Sequence, residues 1–142
     1  MIKNETKIIN QKTQKMEKYK NFINNKWIES ESKETIKVDD PSNGKIIGEI
    51  SCAKKNEVDL AVEAAKNSYN SRVLVDMPLL SRAKLMRKIA EETRKVSKEG
   101  GELLCYENGK NIASAIKEFN DVADMFDYYA GLTDKLEGKT IP

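Results

Sequence analysis

The 142 residues contain no histidine and only two cysteines, Cys52 and Cys105. Without imidazole there is no His ligand for a zinc site, and two thiols are too few for a disulfide framework, so both are read as reduced and partly buried. Charge of one sign is not in excess either. The 25 Lys and Arg stand against 23 Asp and Glu, interleaved along the chain, which leaves no basic face for a nucleic acid. No run reaches the length and apolarity of a membrane span, and the first residues lack the apolar core of a secretory signal. A soluble, cytoplasmic protein with no nucleic-acid and no membrane partner is expected. A hydrophobic share of 39% beside a charged share of 34% promises a thin core for this length.

What is present falls into blocks. Residues 1–18, MIKNETKIINQKTQKMEK, are rich in Lys, Asn, Gln and Thr, and their few apolar residues follow no sustained period, so a disordered tail is expected. Two Glu and no Arg argue against a targeting peptide, and Met16 is an alternative start. The stretch NFINNKWIES then reads as two short strands, Phe22-Ile23 and Lys26-Trp27-Ile28. Asn24-Asn25 joins them, since Asn tolerates the positive φ of a two-residue hairpin turn. A second pair follows, with Thr35, Ile36 and Val38 on one strand and Ile46, Ile47 and Ile50 on the other. The turn DDPSNG joins them, Pro41 fixing φ and Gly44 free to turn left-handed. Strands are thus expected over about 21–52.

Helices are expected over about 55–131, because the apolar period then changes. Val58, Ala61, Val62, Ala65 and Tyr69 recur at three and four, with Asn56 as the expected N-cap. Leu85, Met86, Ile89 and Val96 form the next stripe, with Pro78 and Ser81 as start signals. Gly100-Gly101 should kink or break that helix before a shorter turn through Leu103, Leu104 and Tyr106, which Asn108 to Lys110 end. The last stripe holds Ile112, Ile116, Phe119, Val122 or Ala123, Phe126 and Tyr129 or Ala130, closed by Gly131 as C-cap. Its aromatic face of Phe119, Phe126, Tyr128 and Tyr129 is larger than four short strands can cover along with the other stripes. The terminal DKLEGKTIP adds no closing element and reads as a cut rather than an end.

FINNKWIES, DDPSNGKIIGEI, EVDLAVEAAK, SRAKLMRKIAEETRK, ENGKNIASA and DYYAGLTDKLEGKTIP follow one another in an order and spacing that resemble the N-terminal part of the NAD(P)-dependent aldehyde dehydrogenase superfamily. The resemblance implies an α/β fold of which this chain supplies only the N-terminal portion, short antiparallel strands followed by three or four amphipathic helices. Residues 19–142 then form an incomplete segment of a nucleotide-binding domain. It also implies a complete enzyme that oxidises an aldehyde to a carboxylic acid by thiolate attack, hydride transfer to NAD or NADP and thioester hydrolysis. The segments that carry that chemistry and the dinucleotide crevice come later in the family's order than EGKTIP. No catalytic, cofactor-binding or metal residue is therefore assigned to this chain, and neither NAD nor NADP is expected to bind it alone.

Other chemistry-bearing residues stand beside that reading. Cys52 has Lys54 and Lys55 nearby but sits where the family pattern is structural, and Cys105 lies inside a turn, so both are taken as inert. Glu107 stands where the resemblance places an Asp whose carboxylate, with backbone carbonyls near Val38 and Asp39, helps hold a structural monovalent cation in some members. The competing reading is an ordinary surface acid. Asp121, Asp124 and Asp127 recur at three and are taken as a solvated helix face. KEGGEL and LEGK neither follow a strand nor open a helix, so they are no phosphate loops. Val73 and Val75, near where relatives carry a Trp, and Gly100-Gly101 depart from the family and should loosen packing modestly. Two functions follow: an N-terminal piece of an aldehyde dehydrogenase, idle alone and completed by its missing remainder, or a non-catalytic module that docks on full-length relatives.

Overall fold

The computed structural model describes residues 17–141, and these form five strands and four helices. Strand β1 (Glu17–Tyr19) runs parallel to β5 (Lys45–Ser51), with Tyr19 opposite Ile50, and β4 (Thr35–Asp40) runs antiparallel to β5 on its other side. The register shifts at Val38/Asp39, a bulge that re-aims the end of β4. Strands β2 (Asn21–Ile23) and β3 (Lys26–Ile28) form a separate two-stranded sheet. Residues 1–16 of the expected tail lie outside the described residues. Its last two residues do not belong to a tail, because they form β1 with Tyr19. Three residues with no period of their own become a strand here because β5 offers a free ladder edge.

The turns follow from residues that accept left-handed backbone. Asn24 and Asn25 take φ of 49° and 60°, which puts both central residues of the hairpin in the left-handed region. That register sets Phe22 opposite Trp27, their rings 4.9 Å apart, yet Trp27 remains 64% exposed. At the β4–β5 turn, the Asp40 carboxylate accepts the Ser42 N–H at 2.8 Å and the Asn43 side-chain amide at 2.7 Å. Gly44 follows with φ 69°. These donors, Ser42 foremost, hold the Asp40 carboxyl below the usual carboxylate range.

Helix α1 (Lys55–Asn70) begins two residues earlier than an Asn56 cap would allow, with Lys54 at the N-cap position. The buried Glu57 explains the difference. Its carboxylate reaches back to the Lys54 N–H at 2.9 Å and across to the Glu31 N–H at 2.7 Å. One side chain thus satisfies an orphan amide of the helix and ties the loop after β3 to the helix start. Those bonds, the one from Glu31 foremost, hold the Glu57 carboxyl below its ordinary value. Apart from Glu57 no side chain of α1 is buried, and Tyr69 is 79% exposed.

The helical layer is packed differently. Helix α2 (Leu79–Lys95) starts after Pro78, and α3 (Ser97–Asn108) follows across Val96 alone, where φ −97° and ψ 3° interrupt the helical ladder. Helix α4 (Ile112–Ala130) is capped by the Asn111 side chain, which accepts from the Ala113 and Ser114 amides. Gly131 closes it with right-handed backbone, so the C-cap does not use glycine's left-handed freedom. Helix α4 lies against both α2 and α3. The buried positions are alanines: Ala83 and Ala90 on α2, and Ala115, Ala123 and Ala130 on α4. Their spacings of seven and eight keep one stripe of each helix thin.

The glycine pair acts opposite to expectation. The chain breaks at Val96, before the glycines, and both lie inside α3 as its contact with α4. A Cβ on Gly101 would sit 2.5 Å from Ile116 Cγ1 and 2.8 Å from the Ile116 Cα and N, and a Cβ on Gly100 would collide with the Phe119 ring. The glycines tighten this contact rather than loosening it, because their missing side chains let two backbones approach. Val73 and Val75 stand exposed in the loop between α1 and α2, which Arg82 holds by donating to the carbonyls of Val75 at 2.9 Å and Met77 at 3.3 Å.

Candidate functional site

The C-terminal half of α3 faces the three-stranded sheet across a groove of about 400 Å³. Val38, Ile47 and Ile50 line it from the strands, and Leu103, Tyr106 and Glu107 from the helix. The left-handed Gly109, φ 73°, ends α3 and brings its tip against Pro41, whose Cγ would lie 3.2 Å from an added Cβ. The fold thus brings the exposed Glu107 to the same groove as Val38. Among the described residues no cluster of three or more His, Cys, Asp or Glu side chains has the arrangement of a metal site.

The thiols are not brought together with catalytic partners. Cys52, half-buried just past β5, donates its backbone N–H to the Glu34 carbonyl at 2.9 Å and so continues the sheet's edge. The neighbouring Lys54 ammonium pairs with Glu34 at 2.5 Å, which raises its pKa, with a smaller contribution from Cys52 in the same direction. Cys105 is half-buried within α3, and its carbonyl accepts the Gly109 N–H of the helix end.

The acidic row is solvated, with side-chain exposures of 69% at Asp124 and 40% at Asp127, and it also reaches a neighbour: Arg94 on α2 donates to Asp124 at 2.6 Å and to Asp127 at 2.8 Å, so two of the three carboxylates clamp α4 to α2 as well. The pairing raises the Arg94 pKa. Asp121 pairs within its own helix, with Lys117 at 2.6 Å. Periodicity could not find this clamp, since its cation comes from 30 residues upstream.

A dinucleotide needs open backbone amides at a helix start fed by a strand and a glycine turn. The described helix starts are taken or differently built: Glu57 occupies that of α1, Asn111 caps α4, and Pro78 precedes α2. The glycines of α3 are pressed against Phe119 and Ile116. No described helix start is fed by a strand through a glycine turn. Among the described residues no helix is long and apolar enough to cross a membrane.

Comparison with known proteins places this architecture. The model of the aldehyde dehydrogenase family matches residues 27–142. The chain is 36% identical to aminoaldehyde dehydrogenase 1, peroxisomal, of Pisum sativum over 83% of its own length and 24% of the relative's. It is 31% identical to the betaine aldehyde dehydrogenase of Bacillus subtilis (strain 168), over 84% of this chain and 24% of that one. Among solved structures, an NAD-dependent aldehyde dehydrogenase from Sinorhizobium meliloti superposes with TM-score 0.82 at 27% identity, over 92% of this chain and 26% of that one. Betaine aldehyde dehydrogenase from Staphylococcus aureus, in complex with NAD+, does so with TM-score 0.78 at 27% identity, over 87% and 24%. The chain spans about a quarter of the length of the relatives it matches. It belongs to the aldehyde dehydrogenase family and corresponds to an N-terminal portion of that fold.

Proposed function

We propose that this chain serves as the N-terminal structural portion of an NAD(P)-dependent aldehyde dehydrogenase. In the complete enzyme an aldehyde is oxidised to a carboxylic acid, and the nucleophile and the NAD or NADP site are supplied by the rest of the fold. The observation that carries the reading is the family match over residues 27–142 on a chain that spans about a quarter of its relatives' length. The residues described here then act as scaffold. The partner in this reading is the remaining three quarters of such an enzyme, and the cytoplasm is the compartment.

The test is aldehyde-dependent NADH formation by the purified chain, alone and mixed with the separately expressed remainder of a relative such as the Bacillus subtilis betaine aldehyde dehydrogenase. No turnover alone and measurable turnover in the mixture is the expected result. Turnover by the chain alone would contradict the scaffold role.

A further inference from the structure

The three-stranded sheet ends on one side at β4, which has no strand beyond it among the described residues. The ladder decides which backbone groups face that edge. The Cys52 N–H donates to the Glu34 carbonyl at 2.9 Å, so Glu34 is turned toward β5, and the alternation of an antiparallel pair turns Ile36 and Val38 the same way. Thr35, Lys37 and Asp39 therefore direct their amides and carbonyls outward. The extra residue at the register shift is Ile47 of β5, which leaves β4 itself regular. Pro41 has no N–H to donate and stops the edge after Asp40.

The side chains add a row of charge on the sheet face opposite Val38. Lys18 of β1 stands opposite Glu49 of β5 and pairs with it at 3.2 Å, and Lys37 of β4 stands opposite Glu49 on its other side. Positive, negative and positive thus follow one another across the sheet, and the row stops at the edge on an exposed lysine. Among the described residues neither Lys37 nor the exposed Asp39 takes part in a salt bridge.

We propose that the edge of β4 is an interaction surface for a second copy of this chain. The two β4 strands pair antiparallel about a two-fold axis at Val38, so that Lys37 of each copy lies opposite Asp39 of the other. The occupant follows from register. A strand that pairs with its own copy sets outward groups against outward groups, which centres the pair on Lys37, Val38 or Asp39 if most of β4 is to take part. A centre at Lys37 sets lysine against lysine, and one at Asp39 sets aspartate against aspartate. Only the centre at Val38 sets opposite charges across the edge, twice by symmetry, and it continues the row of Lys18, Glu49 and Lys37 with an aspartate. Ile36 then meets Asp40, whose carboxylate is already taken by Ser42 and Asn43. A ladder from Ile36 to Asp40 is small beside the roughly 1,200 Å² that lasting interfaces bury, so the dimer is a weak one that forms at high protein concentration. This self-pairing is independent of the scaffold role proposed above.

The test is sedimentation equilibrium of the full chain over a concentration series reaching the millimolar range, with Lys37→Glu and Asp39→Lys measured separately and mixed. Circular dichroism and thermal melting establish that each variant is folded. The parent should show a monomer–dimer equilibrium. Each variant alone should associate about tenfold more weakly, since like charges then face each other twice, and their equimolar mixture should recover the association because every charge again meets its opposite. If Lys37→Glu fails to fold, because it faces Glu49, the test rests on Asp39→Lys, which stands opposite Ile46. A parent that stays monomeric throughout would overturn the proposal. Undiminished association of the folded variants, or a mixture no stronger than its components, would overturn it as well by placing the contact elsewhere on the chain.

Discussion

Helices α1 and α4 are both amphipathic, but their surroundings differ. Helix α4 buries Ala115, Ala123 and Ala130 against two neighbours and is clamped by Arg94, whereas α1 touches the rest of the chain mainly near β2 and buries only Glu57. The stripe of α1 at helical spacing, Val58, Val62 and Tyr69, stays exposed although its period is as regular as that of α4. A hydrophobic stripe therefore states what a helix needs and not where the partner is. The α2–α3–α4 layer buries its alanine stripes within this chain, although Val122, Met125 and Tyr128 on the other side of α4 stay exposed. The partners of α1 and of the Phe22–Trp27 hairpin belong, in the proposed function, to the remaining three quarters of the fold.

The sharpest way to break the contrast is at the glycine contact. Gly101→Val should lower stability by about 3 kcal/mol, because the new side chain meets the Ile116 backbone and not merely a side chain that can swing away. The urea midpoint would report it. Gly100→Ala should cost less, since the Phe119 ring can move. Next comes the α4 cap: Asn111→Ala removes the acceptor for the Ala113 and Ser114 amides and should cost about 1 kcal/mol in the same assay.

A smaller effect, graded with pH, is expected at the α1 start. The folded-state pKa of Glu57 lies below its ordinary value of 4.5, so the unfolded chain takes up the proton more readily. Its contribution is fully present above 4.5 and is lost as pH falls through the lower folded value. Thermal melts of the parent between neutral pH and pH 3 should fall more steeply than those of Glu57→Gln. Asp40 and Glu49 are held down in the same way and remain as the common background. The smallest effect belongs to the outer side of α1. Leu60→Lys should shift stability by less than about 0.5 kcal/mol, because that side chain is exposed. A larger loss would mean that α1 is packed after all.

Local chemistry was legible in the sequence wherever one or two residues decide the backbone. Asn24-Asn25 and Gly44 turn where their tolerance of positive φ placed turns, and the stripe of Ile112 to Ala130 became a single helix. Long-range contacts were not legible. Nothing near Gly100 announces Phe119, and nothing near Asp124 announces Arg94. Likewise β1 exists through β5, and the Asn56 cap lost to a Glu57 carboxylate that also serves Glu31. The candidate site was read from resemblance more than from pattern, and only the groove shared by Val38 and Glu107 rests on geometry.

The most direct test of the contrast between the two helices is native-state hydrogen exchange of the chain alone. Amides of α4 from Ala115 to Ala130 should exchange markedly more slowly than those of α1 from Val58 to Tyr69, because only the former open against packed neighbours. Equal protection in the two helices, or slower exchange in α1, would contradict the division into a helix packed on two neighbours and a helix left largely uncovered.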